Sequence, residues 1–248
     1  MQAAAALYPS FALADNAPPV LSILGLTIGM TPDDVSSVIK NNPTDFPNVI
    51  VSKALCQDAT GNQYVCFETV TTDPTTNGLP HDGLPNNSPQ TINIQFSSPL
   101  TSNHAEAIYR DDVFSHDPPL PMYSDLLQSA FTQFGLPLGR INPGDTLVWP
   151  GANVSNMTLD DIFNKCLGPL DPPRWLPGQP GNNYQPGPGC PIMLEMNLGS
   201  GVYQIGELTE VLISRDLIAQ DQAALAQQQQ SATSAAAASA PPPPKPAL

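Results

Sequence analysis

The stretch that decides the fold is Gly25-Leu26-Thr27-Ile28-Gly29-Met30-Thr31-Pro32-Asp33-Asp34-Val35. It predicts a short strand, a tight turn and the start of a helix. Thr31 is a suitable N-cap, because its hydroxyl can accept a hydrogen bond from a first-turn amide that has no partner within the helix. Pro32 would follow at the first helical position, where the N–H that proline lacks is not needed. Asp33 and Asp34 would then place negative charge at the positive end of the helix dipole.

The predicted helix continues with apolar residues at Val35, Val38 and Ile39, a spacing that gives the helix one apolar face. Asn41-Asn42-Pro43 would end it. Asp33 and Asp34 could instead form a carboxylate pair or a metal site. We favour the structural interpretation, because acidic residues are common in the first turn of a helix.

Composition limits the classes of function. The 248-residue chain is long enough for one large domain or two small ones, and its 41% apolar content is enough for a core. Only 12% of the residues are charged, and 22 acids against 8 bases give a net charge of −14. Such a chain repels nucleic-acid phosphates and anionic lipid surfaces, so we expect neither as a partner. No apolar run approaches the ~20 residues of a transmembrane segment.

Residues 1–14 have the character of a signal-segment remnant. Residues 3–14 are largely apolar, and Ala12-Leu13-Ala14 fits the small-x-small pattern before a signal-peptidase cut. A mature chain would then begin at Asp15. The basic region of a signal peptide is missing, and a flexible N-terminal arm is the alternative. We expect an exported protein, periplasmic or secreted.

The four cysteines support export, because disulfide bonds form in oxidising compartments. Cys56 and Cys66 flank a turn centred on Gly61, and a hairpin there would place them directly opposite each other, within disulfide range. Cys166 and Cys190 bracket a loop rich in proline and glycine. These two local bridges are the simplest of three possible pairings. A zinc site is the alternative, but the spacings contain no Cys-x-x-Cys motif and argue against it.

The overall pattern predicts an α+β fold with two modules, each a helix packed on an antiparallel sheet. The first module covers residues 15–116. Its expected strands are runs of alternating or β-branched residues, at 48–55, 64–71, 91–96 and 105–114.

The second module covers residues 117–215 and repeats the order of the first. Its helix has Ser124 as the expected N-cap, and Gly135 and Pro137 follow its last turn. Its apolar stripe consists of Leu127, Ala130, Phe131 and Phe134. Its expected strands are at 146–149, 192–198 and 202–214. Beyond it, residues 216–230 predict a helix, and the Ala- and Pro-rich residues 231–248 predict a disordered tail.

The motif Gly29-Met30-Thr31-Pro32-Asp33-Asp34-Val35, with Gly25 before it, resembles the helix-plus-sheet modules of two kinds of protein. These are the β-lactamase-inhibitor proteins and the small outer-membrane lipoproteins of the barrel-assembly machinery. Phe134-Gly135-Leu136-Pro137 is similar to the helix end of exported proteins that carry this module. The match is short, and the chain lacks the lipidation cysteine of the lipoproteins. The resemblance implies a non-catalytic binding or accessory role and assigns no functional residue.

No catalytic, metal or cofactor site stands out in the sequence. The three histidines, His81, His104 and His116, lie in polar segments without the close spacing of a metal site. Gly199-Ser200-Gly201 is typical of a hairpin turn, and the sequence contains no Gly-x-Ser-x-Gly elbow and no phosphate-binding loop. We therefore predict no catalytic residue, metal or cofactor. A carboxylate pair among the acids stays open, so an exported hydrolase with a carboxylate- or histidine-based site is the alternative function.

The best candidate for partner contact is the loop of residues 167–189, between Cys166 and Cys190. Its many prolines make the backbone stiff, so it would lose little entropy on binding. It carries Arg174, Trp175 and Tyr184, residue types that dominate interface hot spots. The alternative is that Trp175 packs on the core. The predicted function is a non-catalytic, exported, protein-binding or accessory subunit of the cell envelope, with a protein as its partner.

Overall fold

A computed structural model of the chain describes residues 20–72, 90–113, 122–141, 146–151, 158, 190, 192–199 and 207–239. These residues form an α+β fold with three α-helices and eight β-strands. The helices are α1 (Pro32–Asn41), α2 (Tyr123–Phe134) and α3 (Arg215–Ser239). The strands are β1 (Val49–Gln57), β2 (Gln63–Thr72), β3 (Thr91–Phe96), β4 (Ala105–Val113), β5 (Gly139–Ile141), β6 (Thr146–Pro150), β7 (Met193–Gly199) and β8 (Glu207–Ile213).

The strands form one antiparallel sheet in the order β1-β2-β3-β4-β8-β7-β6-β5. Strands β1 to β4 are one meander, strands β5 to β8 are another, and the two meet where β4 pairs with β8. Each meander follows its own helix along the chain. The two helix-plus-sheet modules are therefore present, joined edge to edge in a single sheet whose outer strands are β1 and β5.

One face of the sheet carries the main core. Helix α1 buries Val35 and Ile39 there, and α2 buries Ala130 and Phe134, so the predicted apolar stripes of both helices are confirmed. The strands contribute alternate residues, as expected for a sheet with one face against helices. The central ones are Ile92, Ile94, Phe96, Ile108, Leu194, Met196, Leu198, Leu208 and Leu212. A single core thus spans both modules.

Helix α1 begins with a capping box. The Thr31 hydroxyl accepts a hydrogen bond from the Asp34 amide at 3.2 Å, and the Asp34 carboxylate accepts one from the Thr31 amide at 2.9 Å. Asp34 therefore closes the helix start directly and is more than a charge near the dipole. Before the helix, the expected strand is only one bridge between Ile23 and Leu26. Leu24 and Gly25 form its turn with φ of 50° and 82°, the left-handed conformation of a two-residue hairpin.

The β1–β2 hairpin differs from the symmetric register expected from the sequence. Cys56 pairs with Tyr64 and Ala54 pairs with Phe67, so Cys66 is the extra residue of a β-bulge. Cys56 and Cys66 nevertheless form a disulfide bond, with their Cα atoms 5.6 Å apart. The predicted bond is confirmed and the directly opposed register is wrong. Cys190 is also disulfide-bonded. Its predicted partner, Cys166, lies outside the described residues.

Helix α2 corrects one prediction about its start. Its N-cap is Met122, without a side-chain cap, so Ser124 lies inside the first turn and does not cap the helix. The helix ends at Phe134, and Gly135 takes a φ of 77°. The indole N–H of Trp149 donates to the Gly135 carbonyl at 2.9 Å, and its ring lies 5.7 Å from the Phe134 ring. This contact fixes the end of α2 on the sheet.

Helix α3 lies on the opposite face of the sheet. Its Ile218 packs against a small second cluster formed by Ala107, Val148, Met193 and Ile213. Along the strands these residues alternate with those of the main core, and adjacent strand residues point to opposite faces. The helix continues to Ser239, past its expected end at residue 230, while residues 240–248 of the predicted tail lie outside the described part. No described helix is both long and apolar enough to cross a membrane.

Candidate functional site

Strand β1 is an edge strand, and no described strand pairs with its outer side. It is nine residues long, whereas β5, at the other edge, has only three. An edge strand presents unpaired N–H and C=O groups to which another chain can bond, and short edges limit that risk. Of the two edges, β1 is therefore the one that can accept a further strand.

The exposed side chains of β1 are unusually apolar. Ile50, Val51 and Leu55 are 60%, 41% and 59% exposed. Ile50 and Val51 are neighbours in the strand and point to opposite faces of the sheet. Both faces of this edge therefore offer apolar surface, a combination that natural edge strands usually avoid.

A cleft of about 450 Å³ lies between α1 and the inner part of this edge. This volume is within the range of sites that hold ligands or side chains. Its apolar wall consists of Ile39, Pro43, Phe46, Val49 and Val51. Its polar lining consists of Ser36, Lys40, Asn48, Lys53 and Glu68. The cleft and the β1 edge share Val49, Val51 and Lys53, so they form one continuous surface.

The cleft is locally cationic. The Lys53 ammonium lies 3.2 Å from a carboxylate oxygen of Glu68, whose side chain is fully buried, and it donates to the Ser36 hydroxyl at 3.5 Å. Burial raises the pKa of Glu68, and Lys53 opposes that rise. Lys40 is exposed on the last turn of α1, where a cation complements the helix dipole. Two lysines against one glutamate give a positive cleft on a chain with a net charge of −14.

A cluster of largely buried charged side chains lies where β4 of the first module pairs with β8 of the second. The Arg110 guanidinium contacts Glu210 at 2.7 Å and Asp112 at 2.9 Å. Burial raises the pKa of Glu210, whereas the adjacent Arg110 lowers it. Because Arg110 on β4 pairs with Glu210 on β8, this cluster ties the two strands together.

Among the described residues, two buried acids, Glu106 on β4 and Asp221 on α3, interact electrostatically. Burial raises the pKa of Glu106 to about 7, Gln95 opposes the rise by hydrogen bonding, and the charge of Asp221 adds to it. Glu106 is 3% exposed and Asp221 is 6% exposed, so no substrate reaches either carboxylate. Asp221 is also held by three donors from Ser98 and Thr101. The sequence pattern singled out neither acid, because the two are brought together by the packing of α3.

Other predicted site residues can be placed only in part. Arg174, Trp175 and Tyr184, together with His81, His116 and Ser200, lie outside the described residues, so the predicted contact loop stays a prediction. His104 is described, in the turn before β4. Within the described ranges, no three His, Cys, Asp or Glu side chains are grouped closely enough to hold a metal ion.

No protein-family model, curated protein or solved structure matches the chain. The resemblance to β-lactamase-inhibitor proteins and barrel-assembly lipoproteins therefore remains an expectation drawn from the motif before α1.

Proposed function

We propose that this chain is a non-catalytic, exported, protein-binding or accessory subunit of the cell envelope, and that it holds its partner by strand addition at β1. The observation that carries the proposal is the long edge strand with exposed Ile50 and Val51 on its two faces. In strand addition, backbone hydrogen bonds supply affinity and pockets for alternate side chains supply specificity. The β1 edge offers the first, and the adjacent cleft offers the second.

The disulfide bond supports both export and binding. A bond between Cys56 and Cys66 persists in oxidising compartments, which favours a periplasmic or secreted location. It also links β1 to β2 near their turn, so the edge is held in its extended form before a partner arrives. A preorganised edge loses less entropy on association.

The alternative of an exported hydrolase has weaker support. The carboxylates of Glu106 and Asp221, which interact electrostatically, are both buried and both accept hydrogen bonds. The cleft beside β1 is lined by two lysines, and its one acid, Glu68, is buried. This set of charges suits the binding of an anionic group better than it suits hydrolysis.

Phage-displayed random peptides, long enough to span β1, test this proposal on the folded chain. We expect selected peptides to bind the wild-type protein and to lose about tenfold or more in affinity with Ile50→Lys, because a lysine on an exposed edge opposes strand pairing. The matched control is Leu136→Lys, at an exposed leucine outside β1. Equal binding by both variants would show that the peptides bind elsewhere and would refute strand addition.

A second measurement identifies the backbone contact itself. Successive N–H groups of an added strand point alternately toward and away from β1. N-methylation of either the odd-numbered or the even-numbered residues of a selected peptide should therefore abolish binding, whereas methylation of the other set should be tolerated. Equal tolerance of N-methylation in both sets would exclude pairing with the β1 backbone.

A further inference from the structure

We propose that the segment added at β1 carries an acidic side chain two residues away from an apolar one, both on the face toward α1. This inference rests on the proposed function, because it names the chemistry of the partner that β1 would bind. The carrying observation is that Val51 and Lys53 both line the cleft and lie two residues apart on β1. Residues of an added strand that lie opposite these two would also be two apart and on the same face.

The position opposite Val51 favours an apolar residue. Val51 is partly exposed, and the wall beside it is formed by Ile39, Phe46 and Val49. Side chains directly across two paired strands lie about 4.5–5.5 Å apart at Cβ, close enough for apolar contact. An apolar side chain placed there would cover Val51 and part of this wall.

The position opposite Lys53 favours a carboxylate. Lys53 is 40% exposed, and its ammonium forms an ion pair with Glu68 and donates one of its three N–H groups to the Ser36 hydroxyl. At least one donor is left for an incoming acceptor. Lys40 lines the same cleft and has no ion-pair partner among the residues that the structure describes. A lysine or arginine on the added strand would instead face like charges, which destabilises a cross-strand pair.

Glu68 acts here as a positioning residue. Its buried carboxylate holds the Lys53 ammonium at 3.2 Å, so the lysine has fewer conformations to lose when it binds a partner acid. The other face adds a further requirement, because exposed Ile50 points away from α1 and favours an apolar residue across from it. The added segment should therefore have apolar residues opposite Ile50 and Val51, any residue opposite Ser52 and an acidic residue opposite Lys53. A parallel segment has these residues in that order, and an antiparallel segment has them in the reverse order.

A partner protein fits this edge better than a second copy of the chain. The sequence of β1, VIVSKALCQ, contains Lys53 as its one charged residue and no acid, so a second β1 offers no carboxylate to Lys53. The occupant is thus an extended segment of another protein that carries a carboxylate opposite Lys53.

The sequences and affinities of the selected peptides test the inference. We expect enrichment of the apolar–apolar–any–acidic pattern, and we expect replacement of the acid by lysine to weaken binding about tenfold or more, as for loss of a charge-assisted contact. Lys40→Glu should weaken the acidic peptide and strengthen its lysine counterpart. The Gln229→Glu, Gln230→Glu double variant, on an exposed part of α3, changes the net charge by the same two units and should affect neither peptide. Lys40 is exposed, so its variant leaves the core intact.

The outcomes separate this inference from the proposed function. If Ile50→Lys blocks binding but the peptides lack a common acid and ignore Lys40→Glu, the acidic-partner inference is overturned and strand addition stands. If Ile50→Lys has no effect on binding, the proposed function fails as well. If the purified chain is a dimer that Ile50→Lys converts to monomer, the edge is occupied by a second copy and the inference is overturned.

Discussion

The carboxylate of Asp221 on α3 accepts a hydrogen bond from the backbone N–H of Ser98, 2.9 Å away. The same oxygen accepts bonds from the hydroxyls of Ser98 and Thr101, each at 2.5 Å. Asp221 thus binds the N-cap residue and the last residue of the 3₁₀ turn Pro99–Thr101, which lie 123 and 120 positions away in sequence. Because this carboxylate is buried, the bonds anchor α3 to the segment between β3 and β4.

Replacement of Asp221 by alanine should lower the free energy of unfolding by about 3 kcal/mol, because a buried N–H loses its only charged acceptor. Urea denaturation measures the change. Gln222→Ala, at the exposed neighbouring position, is the control and should change stability little. Equal stability of the two variants would mean that α3 is not anchored through Asp221.

The pH dependence of stability should reveal two buried glutamates. Burial raises the pKa of both Glu106 and Glu195 from 4.5 to about 7, and the nearby Arg215 opposes the shift at Glu195. Between these pH values the folded state holds protons that the unfolded state has released. Stability is therefore greatest below about pH 4.5 for these groups and falls as the pH rises toward 7, by on the order of 3 kcal/mol per group.

Glu106→Gln removes one of these titrations, so the variant should lose less stability than the wild type between pH 4.5 and 7. Denaturation midpoints at a series of pH values provide the comparison. A wild-type slope that persists in the Glu106→Gln, Glu195→Gln double variant would assign the effect to other groups.

The capping box of α1 gives a local prediction. Thr31→Ala should cost about 1 kcal/mol, and Asp34→Ala should also destabilise the chain, since each removes one of the two reciprocal bonds. Asp33→Asn should cost about 0.3–1 kcal/mol, through the helix dipole alone. Thermal and chemical denaturation check these values. A loss of binding in Asp33→Asn without any change in melting temperature would indicate a functional acid.

The disulfide between Cys56 and Cys66 should stabilise the chain by about 3 kcal/mol in the chain-entropy treatment of a short loop. The Cys56→Ser, Cys66→Ser double variant should therefore unfold at lower urea concentration. Thiol counting on the denatured, unreduced wild-type chain should find no free cysteine. Detection of free thiols at these positions would remove both the bond and the argument for export based on it.

Sequence reasoning succeeded where the deciding interactions are local. The Thr31 cap, the apolar faces of α1 and α2 and most strand positions depend on residues only a few positions away. Such local patterns can be recognised from the sequence alone. The bulge at Cys66 was missed because a hairpin register depends on pairing along the whole strand. The false cap at Ser124 shows that a suitable residue type does not fix where a helix begins.

The candidate site was the part least accessible to sequence reasoning. That β1 is an edge follows from the strand order, which depends on which distant strands pair, not on the composition of β1 itself. The cleft forms only when α1 packs beside β1 and β2, and the burial of Glu68 depends on that packing. The one available signal was the run Val49-Ile50-Val51, which lacks the polar alternation of a strand covered on one face only.

Strand β8 lies at the centre of the sheet although it is the last described strand in the sequence, so the sheet cannot be completed until the chain has been synthesised through β8. Strand β4 bonds to β8, as in the pair Tyr109 and Val211, although the whole second helix and three strands separate them in sequence. During synthesis, β4 therefore emerges as an unprotected edge and stays so until β8 follows. Two crowded nascent chains can meanwhile exchange their β5–β8 meanders and keep every strand contact, so a swapped dimer is the misassembly that this topology invites.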